Sequence, residues 1–382
     1  MCRQEAARPL PIVVEVPVLV ARLHGTRDIR IDEEEPPAMK EDGPAGEDQV
    51  LVRVTAVGIC GSDLHWWTEG GIGDARLMPG VVGGENSLAH PLVLGHEGAG
   101  VIESGPRAGQ RVAIDPAITC GTCRACRDGY RNLCYRIRFA GHGDTDGMMR
   151  EVIAWPSSLL PRLPDSVTDA EGALLEPLGV ALWSLDLGHL PFGGTAAVAG
   201  CGPIGLLLIQ LLRAAGATRV IAVEPLAHRR EAAARYGADY VLEPGEPVSG
   251  LAVDVAFEVA GNDDGVRVAL ESVRPGGRVV LAGIPDGDTT TFTASLARRK
   301  GLTIAMTRRM NDVYERAITL AARGVVDLQS LISRRAPLDE AADAFTAAAS
   351  RSGLKVIIEP QRHQRQRHQQ QRHQQQRHRP AG

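Results

Sequence analysis

The feature that most constrains the fold is a glycine-rich hexapeptide, GCGPIG at 200–205, placed between two apolar segments. The apolar run TAAVA precedes it, and the helical pattern LLLIQLLRA follows it. The hexapeptide fits G-x-G-x-x-G, and Glu224 ends the next apolar run, RVIAVE. Alone the pattern is a weak signal, but a strand before it, a helix after it and the later acidic residue are typical of a dinucleotide-binding βαβ unit.

The three glycines have separate roles in such a unit. Gly200 permits the tight turn, Gly202 lets the backbone approach a pyrophosphate at the helix N-terminus, and Gly205 lets the helix pack on the strand. Glu224 can accept hydrogen bonds from both ribose hydroxyls and would repel a 2′-phosphate, which favours NAD over NADP. The alternative is a glycine turn without a ligand. The candidate cofactor residues are Gly200, Gly202, Pro203, Ile204, Gly205, Glu224 and Arg229.

The hydropathy pattern changes along the chain and divides it into two kinds of structure. From about 189 onward, apolar strands alternate with helical patterns, which is typical of a parallel sheet covered on both faces. Before that point the chain is rich in short strands, glycine and proline, which indicates an irregular, mostly β domain. The stretch DEAADAFTAAASRSGLKVIIEP predicts one more helix and a final strand. The fold class is therefore α/β.

Charge and hydropathy exclude several kinds of partner. The net charge is −4, yet the segment 361–382 holds six arginines and no acidic residue, so the rest of the chain is more acidic than the total. An acidic body argues against nucleic acid, and no apolar run is long enough for a membrane span. We expect a cytoplasmic protein with reduced thiols, an N-terminal extension over 1–17, and a disordered Arg/His/Gln-rich tail over 361–382.

Four cysteines cluster in the segment CGTCRACRDGYRNLC, with the spacing C-x2-C-x2-C-x7-C. Four thiolates on one short lobe suit a closed tetrahedral zinc site, which holds a loop in place but leaves no position open for chemistry. An iron–sulfur cluster and free thiols are the alternatives. The candidate structural zinc ligands are Cys120, Cys123, Cys126 and Cys134.

Cys60 lies far from this cluster, in GICGSDLHWWTEGG, and needs other partners. LGHEGAG supplies His96 and Glu97, and LLEPLGVALWS supplies Glu176. A cysteine, a histidine and a carboxylate would leave one zinc position open for water or substrate. Spacing alone does not join these residues, and a lone buried cysteine, a turn histidine and two surface glutamates are the alternative.

Six segments together make the chain resemble the zinc-dependent medium-chain dehydrogenases, and within them the sorbitol (polyol) dehydrogenase group. These segments are GICGSDLHWW, PLVLGHEGAG, the four-cysteine lobe, GALLEPLGVALWS, GCGPIG and GLKVIIEP, and they cover roughly 18–360 in order. The resemblance implies a GroES-like, mostly β catalytic domain over 18–188, completed by 328–360. It implies a Rossmann NAD-binding domain, a doubly wound parallel sheet, over 189–327.

The resemblance also implies roles for residues of the first half. The catalytic zinc would be bound by Cys60, His96 and Glu97, with Glu176 binding it directly or through its water. Ser62 matches the hydroxyl that contacts the reacting oxygen, and His65 lies where the proton path leads outward.

Three departures from the family concern the substrate side. Trp66 stands where polyol enzymes often have tyrosine. Arg308 aligns with a family arginine, and Arg309 replaces an aromatic residue. Two guanidiniums would suit a sugar acid, since arginine binds carboxylates bidentately, but a solvated or cofactor-side Arg309 is equally open. An insertion over 75–88 either forms a surface loop or reshapes the substrate entrance.

We therefore expect an enzyme with zinc and NAD that oxidises a secondary hydroxyl of a polyol, sugar or sugar acid. A threonine- or amino-alcohol-type dehydrogenase of the same superfamily is the nearest alternative. A non-catalytic NAD-binding redox sensor is the alternative from another class. The expected partners are a small-molecule substrate and further copies of the chain, as a dimer or tetramer, with no nucleic acid and no membrane.

Overall fold

The computed structural model describes residues 17–39, 48–72, 75–76, 87–285 and 288–360. The predicted tail over 361–382, all but the last residue of the predicted extension over 1–17, and residues 77–86 of the insertion lie outside these ranges. Among the described residues, no helix has the length and apolar character needed to cross a membrane.

The first half of the chain is built mainly of short strands. They are β1 (Val18–Gly25), β2 (Asp28–Glu34), β3 (Gln49–Gly58), β4 (Gly71–Ile72), β5 (Ala75–Arg76), β6 (Ser87–Val93), β7 (Glu97–Ile102), β8 (Arg111–Ile114), β9 (Ala117–Ile118), β10 (Arg138–Phe139) and β11 (Val152–Pro156). Its helices are α1 (Gly61–Glu69), α2 (Arg124–Arg127), α3 (Asp169–Ala173) and α4 (Leu175–Gly188).

The second half alternates strands and helices. In chain order these are β12 (Thr195–Ala199), α5 (Pro203–Ala214), β13 (Arg219–Val223), α6 (Ala227–Arg235), β14 (Tyr240–Leu242), β15 (Val253–Glu258), α7 (Asp263–Ser272), β16 (Val273–Leu281), α8 (Ala294–Lys300), β17 (Thr303–Met306) and α9 (Tyr314–Ala322). The segment then ends with β18 (Ile332–Pro337), α10 (Ala341–Ala349) and β19 (Lys355–Glu359).

The strands β12 to β17 form one six-stranded sheet in the order β14-β13-β12-β15-β16-β17. All of its strand pairs are parallel. This is the doubly wound order in which the chain reverses direction between the first and fourth strands, and ligands bind at the carboxyl ends of the strands on either side of that point. The predicted Rossmann sheet is confirmed. Its strands are apolar runs because helices cover both faces.

A second six-stranded sheet combines both ends of the chain, in the order β18-β19-β3-β7-β8, with β11 also pairing with β3. Strand β19 runs antiparallel to β3, with Ile357 opposite Gly58 and Ile358 opposite Val57. A further sheet, β2-β1-β6, packs in the same half. The predicted mostly β fold is confirmed, and the last strand of the chain completes it.

Helix α4 connects the two sheets. Its buried residues Leu175, Leu178 and Leu182 share one hydrophobic core with residues of α5, α9 and the parallel sheet. The N-terminal end of α4 therefore lies where the two halves of the molecule meet, and this end carries Glu176.

Candidate functional site

Cys60 is held at the junction between β3 and α1. It is the N-cap residue of α1, and its backbone N–H donates to Asp63 Oδ2 at 2.9 Å. An acidic side chain at the third helical position commonly satisfies the N-cap N–H in this way. The same carboxylate also accepts from the N–H of Gly95 through Oδ1, at 3.1 Å. One buried aspartate thus fixes both backbone segments that carry the candidate ligands.

His96 lies in the turn between β6 and β7, directly after Gly95, whose φ of 94° favours glycine. The imidazole is buried, with Nδ1 3.4 Å from Asp63 Oδ1 and Nε2 3.3 Å from Ser62 Oγ. Because Nδ1 faces the carboxylate, Nε2 is the nitrogen available to a metal, the arrangement in which an outer carboxylate orients a ligating histidine.

Glu97 begins β7 and is fully buried. Lys355 Nζ, from β19, lies 2.6 Å from Glu97 Oε1 and also 2.6 Å from Oε2. Nζ donates in addition to the carbonyl oxygen of Ile59, at 2.9 Å. Burial alone would lower the pKa of Lys355, but the Glu97 carboxylate raises it above its ordinary value. An added Cβ at Gly58 would overlap Glu97 Oε2, so only glycine leaves room for this carboxylate.

The structure brings Cys60, His96 and Glu97 together. One sulfur, one nitrogen and one carboxylate oxygen lie within 4.8 Å of one another. Glu97 Oε2 is buried and lies in the ion pair with Lys355 Nζ described above. Burial alone would lower the pKa of His96, but Asp63 and Cys60 raise it well above its ordinary value. The donor set and its negative potential fit a zinc ion with an open position.

Glu176, the fourth predicted ligand, stands slightly apart from this trio. It is buried at the start of α4 and does not belong to the group of donor atoms that lie within 4.8 Å of one another. Burial raises its pKa to about 7; His96 opposes this shift and the charge of Glu97 adds to it.

The two other predicted catalytic residues lie on α1. Ser62 is buried, and its hydroxyl is beside the candidate ligand nitrogen of His96, as described above. His65 lies one turn further along the helix, with Nδ1 3.2 Å from Glu69 Oε1. The imidazole is partly exposed, so the helix leads from the buried site toward solvent.

Two aromatic side chains, Trp66 and Phe139, and the imidazole of His142 form a wall beside the trio. The ring of His142 lies 5.2 Å from that of His96, 5.1 Å from that of Phe139 and 5.9 Å from that of Trp66, measured between centroids. Burial lowers the pKa of His142 to about 3, and the charge of His96 adds to this shift. His142 is therefore neutral. Trp66, predicted as a substrate residue, is fully buried behind it.

Of the two arginines in TRRM, the second lies against this wall. Arg308 is exposed, and its carbonyl oxygen accepts from Asn132 Nδ2 at 2.8 Å. The guanidinium carbon of Arg309 lies 3.8 Å from the centroid of the Phe139 ring. Burial lowers the pKa of Arg309 to about 10, and the charge of Arg308 adds to this shift. Phe139 is also 5.3 Å from the His96 ring, so Arg309 is one ring away from the trio.

The four predicted lobe cysteines also converge. Sulfur–sulfur distances are 3.5 Å for Cys123–Cys126, 3.9 Å for Cys123–Cys134 and 3.4 Å for Cys134–Cys120. A tetrahedral site with zinc–sulfur bonds of about 2.3 Å requires roughly 3.8 Å between sulfurs, so the lobe fits zinc. Backbone hydrogen bonds lower the pKa of Cys120 to about 5, whereas burial and neighbouring sulfurs raise that of Cys126 to about 12.

The glycine turn follows β12 as expected. Gly200 has a φ of 100°, and an added Cβ would lie 2.8 Å from the nitrogen of Ala260. Gly202 is the N-cap of α5, with Pro203 and Ile204 in its first turn, and a Cβ on Gly205 would overlap the carbonyl oxygen of Gly200. Free N–H groups at this helix end are suited to a pyrophosphate.

Glu224 follows β13 and faces the glycine turn. Its Oε2 accepts from the N–H of Cys201 at 2.7 Å, and its Oε1 accepts from the N–H of Leu226 at 3.1 Å. Each carboxylate oxygen has further acceptor capacity for a ribose hydroxyl. Arg229 is nearby, because a Cβ on Gly202 would lie 3.7 Å from Arg229 Nη1.

Sequence reasoning missed three residues of the site: Asp63, Lys355 and His142. Signals for the first two are present in the sequence. Asp63 follows Cys60 at capping-box spacing, and Lys355 interrupts an apolar strand, where a lysine needs a partner. His142 lies in an irregular segment, GHGDTDG, and only the fold brings it to His96.

Two family models match the chain. One, described as an alcohol dehydrogenase GroES-like domain, covers residues 46–165, and the other, described as a zinc-binding dehydrogenase, covers residues 203–323. The chain is 33% identical over 361 residues to sorbitol dehydrogenase of Bacillus subtilis (strain 168), a match that covers 90% of this chain and 97% of the relative.

Solved structures agree with this match. A Sinorhizobium meliloti 1021 protein assigned as a zinc-binding dehydrogenase, bound to NADP, has a TM-score of 0.78 and 31% identity, covering 90% of this chain and 99% of the other. L-idonate 5-dehydrogenase from Escherichia coli has a TM-score of 0.78 and 25% identity, covering 90% and 98%.

Proposed function

Because the chain belongs to the zinc-dependent medium-chain dehydrogenases, we propose that it transfers a hydride from a secondary hydroxyl of a polyol, sugar or sugar acid to NAD. The observation that carries this proposal is the convergence of Cys60, His96 and Glu97, with Ser62 beside them. Sorbitol dehydrogenase and L-idonate 5-dehydrogenase, both similar to this chain, are named for polyhydroxy compounds. Their names support a polyhydroxy substrate here.

We assign the catalytic zinc to Cys60, His96 and Glu97, with Glu176 as a fourth candidate ligand near it. When bound, zinc supplies a Lewis acid that lowers the pKa of a hydroxyl in contact with it. Asp63 holds the imidazole of His96 and the backbone at Cys60 in place. Lys355 balances the charge of Glu97, so that a buried carboxylate is tolerated in the site.

The proton of the substrate hydroxyl needs an acceptor within hydrogen-bond reach. We assign this role to Ser62 Oγ, which lies beside His96 Nε2. The hydroxyl accepts the substrate proton and passes its own along α1 toward His65, whose partly exposed imidazole releases it to solvent. The Rossmann sheet presents the nicotinamide to the same site, since cofactors of this fold bind at the carboxyl ends of its strands.

The strands of the two halves pair in separate sheets, which supports a division into two domains. We assign 18–188 together with 328–360 to the catalytic domain and 189–327 to the cofactor domain. Strand β19 pairs with β3 in the first sheet, whereas β12 to β17 form the second.

We assign the cofactor as NAD from the position of Glu224. Its carboxylate faces the glycine turn, where the ribose of the adenosine half binds in this fold. A 2′-phosphate there would be repelled by the carboxylate. Arg229 lies beside the same turn, close to Gly202.

Turnover with a substrate panel tests the proposed function. We expect the zinc-loaded protein to reduce NAD with polyols, sugars or aldonates, and the Cys60→Ser variant to have lost at least 1000-fold in kcat/KM, as expected when a metal with its Lewis-acid role is lost. Preferential oxidation of L-threonine or an amino alcohol would move the assignment to that branch of the superfamily. Zinc-loaded protein that binds NAD and oxidises none of these compounds would instead fit a redox sensor.

A further inference from the structure

Arg309 is a half-buried cation that feels the charge of Glu176 but forms no ion pair with a carboxylate of the described residues. Its Nη1 is shielded from solvent and has no hydrogen-bond partner among the described residues, and no described carboxylate forms an ion pair with it. A buried charged donor left without an acceptor is costly, and buried guanidiniums are normally paired. Arg309 Nη1 is thus a hydrogen-bond donor for which the described residues supply no acceptor.

The position of this donor points to the substrate space. Arg309 comes three residues after β17 ends at Met306, at the carboxyl edge of the parallel sheet. From there it crosses to the other half of the molecule and stacks on Phe139. The separation of its guanidinium carbon from the His96 ring centroid cannot exceed the sum of 3.8 and 5.3 Å. Arg309 therefore lies between the cofactor sheet and the candidate zinc ligands.

The stacking on Phe139 also fixes what the guanidinium can bind. A guanidinium that lies over an aromatic ring still points its N–H groups outward in its own plane, and these form the fork that matches a carboxylate. The backbone of Arg309 has a φ of 54°, a left-handed conformation that an arginine seldom adopts.

We propose that Arg309 binds an anionic group of the substrate, and that this group is a carboxylate, so that the enzyme acts on sugar acids in preference to neutral polyols. This inference rests on the proposed function and narrows its substrate class. One guanidinium balances one negative charge. A phosphate monoester carries close to two charges, and the side chain of the neighbouring Arg308 is exposed.

Matched substrates test the assignment in the zinc-loaded full chain. The substrates are a hexitol, the matching aldonate and the matching hexitol phosphate, for example D-glucitol, D-gluconate and D-glucitol 6-phosphate; sets of other stereochemistry are treated in the same way. For each substrate, kcat/KM is measured with wild type, Arg309→Met and Arg299→Met. Arg299 is an exposed arginine of α8 and serves as control. We expect wild type and Arg299→Met to prefer an aldonate at least tenfold over the matched hexitol. In Arg309→Met, kcat/KM should fall about 30-fold or more for the aldonate and less than about threefold for the hexitol.

Equilibrium binding separates this inference from the proposed function. Calorimetric titration of gluconate into the protein with NADH present should show binding in wild type and about 30-fold weaker binding in Arg309→Met. Arg309→Lys should recover part of the affinity, since it restores the charge without the fork. If no compound is turned over, the proposed function fails, yet the titration still decides the role of Arg309.

Three results would overturn the inference. The first is a wild type that prefers hexitols over aldonates while reducing NAD well. The second is a preference for the phosphate ester. The third is an equal fall in kcat/KM for charged and neutral substrates in Arg309→Met, since an equal fall indicates a structural or cofactor role.

Discussion

At the scale of single residues, the site depends on glycines that leave space for charged groups. Gly58 is the sharpest example, because the Glu97 carboxylate occupies the position that a Cβ would take. We expect Gly58→Ala to displace Glu97 and to lower the metal occupancy of the Cys60 site, while the cysteine lobe keeps its zinc. Zinc per chain, measured by mass spectrometry after dialysis, should fall from about two toward one.

Gly61→Ala is the matched control for this change. Gly61 is the first residue of α1, three positions from Gly58, and nothing lies within 4 Å of an added Cβ there. It should therefore keep both zinc ions. Equal zinc content in Gly58→Ala and Gly61→Ala would show that Glu97 does not hold the metal.

A second residue-scale prediction concerns cofactor choice. Glu224→Ala removes both the hydrogen-bond acceptor for the ribose hydroxyls and the charge that would repel a 2′-phosphate. We expect kcat/KM with NAD to fall about 10- to 100-fold, and the NADP/NAD ratio to rise by at least tenfold. Glu231→Ala, on the exposed side of α6, should leave both values unchanged. A wild type that already prefers NADP would contradict the assignment to NAD.

Spacing alone assigned ligand residues only where the chain carries them in local motifs, whereas Cys60, His96 and Glu97 were joined by the family resemblance. The four lobe cysteines and the glycine turn lie within short segments, and the structure brings each set together. Asp63 and Lys355 were missed because their roles depend on contacts between distant segments. Arg309 was singled out without its orientation being decided. A guanidinium's direction depends on Phe139, which no sequence pattern connects with it.

At the scale of elements, strand pairing in the parallel sheet depends on polar contacts at the strand ends. Asp254 Oδ2, from β15, accepts from the N–H and the hydroxyl of Thr195 at the start of β12, at 2.8 and 3.0 Å. Its Oδ1 accepts from Arg274 Nε at 2.9 Å. Burial alone would raise the pKa of Asp254, but the hydrogen bonds from Arg274 and Thr195 hold it below its ordinary value.

A lowered pKa gives a stability difference that depends on pH. The contribution of Asp254 is present above the unfolded-state pKa of about 3.9 and is lost as the pH falls through the lower folded-state value. We expect Asp254→Asn to reduce the free energy of unfolding by about 1 kcal/mol at pH 7 and by less at pH 4, measured by urea denaturation. Asp264→Asn, on an exposed helix side, should show no such trend. If the difference in the free energy of unfolding between wild type and Asp254→Asn stays constant with pH, the role given to Asp254 is wrong.

The two metal sites should respond differently to loss of a ligand. Cys123→Ser opens the cysteine lobe, which has short elements and little buried apolar surface, so we expect the melting temperature to fall by about 5 °C or more. Cys60→Ser should abolish turnover and remove one zinc, yet change the melting temperature by less than about 2 °C, since the core around β3 does not need the metal. Calorimetry on both variants decides this. The distinction between structural and catalytic sites fails if Cys60→Ser is the less stable protein.

Sequence patterns predicted the elements unevenly. Strands and helices of the parallel sheet were predicted because its inner strands β12, β13 and β15 are buried almost throughout and are therefore nearly continuously apolar. Helix α1 was missed, since GSDLHWWTE has no regular apolar spacing and its start is fixed by Asp63. Helix α9 begins only at Tyr314, because Asp312 has a φ of 49° and cannot be part of a helix.

At the scale of the whole molecule, β18 and β19 complete the sheet that β3, β7 and β8 begin in the first half of the chain. Strand β19 lies between β18 and β3, and its Lys355 contacts Glu97. We expect truncation after Ser350 to expose β3, to leave Glu97 without its cation and to abolish soluble, zinc-loaded protein. Truncation after Pro360 is the control, because it keeps β19, and should leave kcat/KM within about twofold of the full chain. Activity surviving the first truncation, or a large loss on the second, would contradict this reading of the last strand.

The contact between Lys355 and Glu97 has a consequence for how the protein is made. The two residues are 258 positions apart. A ribosome adds about 5 to 20 residues per second, so Glu97 exists for roughly 10 to 50 s before its lysine does. The four lobe cysteines, by contrast, leave the ribosome almost together. We expect nascent chains stalled near residue 300 to hold zinc in the lobe alone, and the second ion to enter only after release, which metal analysis of stalled ribosome complexes would reveal. Newly made protein would thus be half-metallated for as long as translation of its second half lasts.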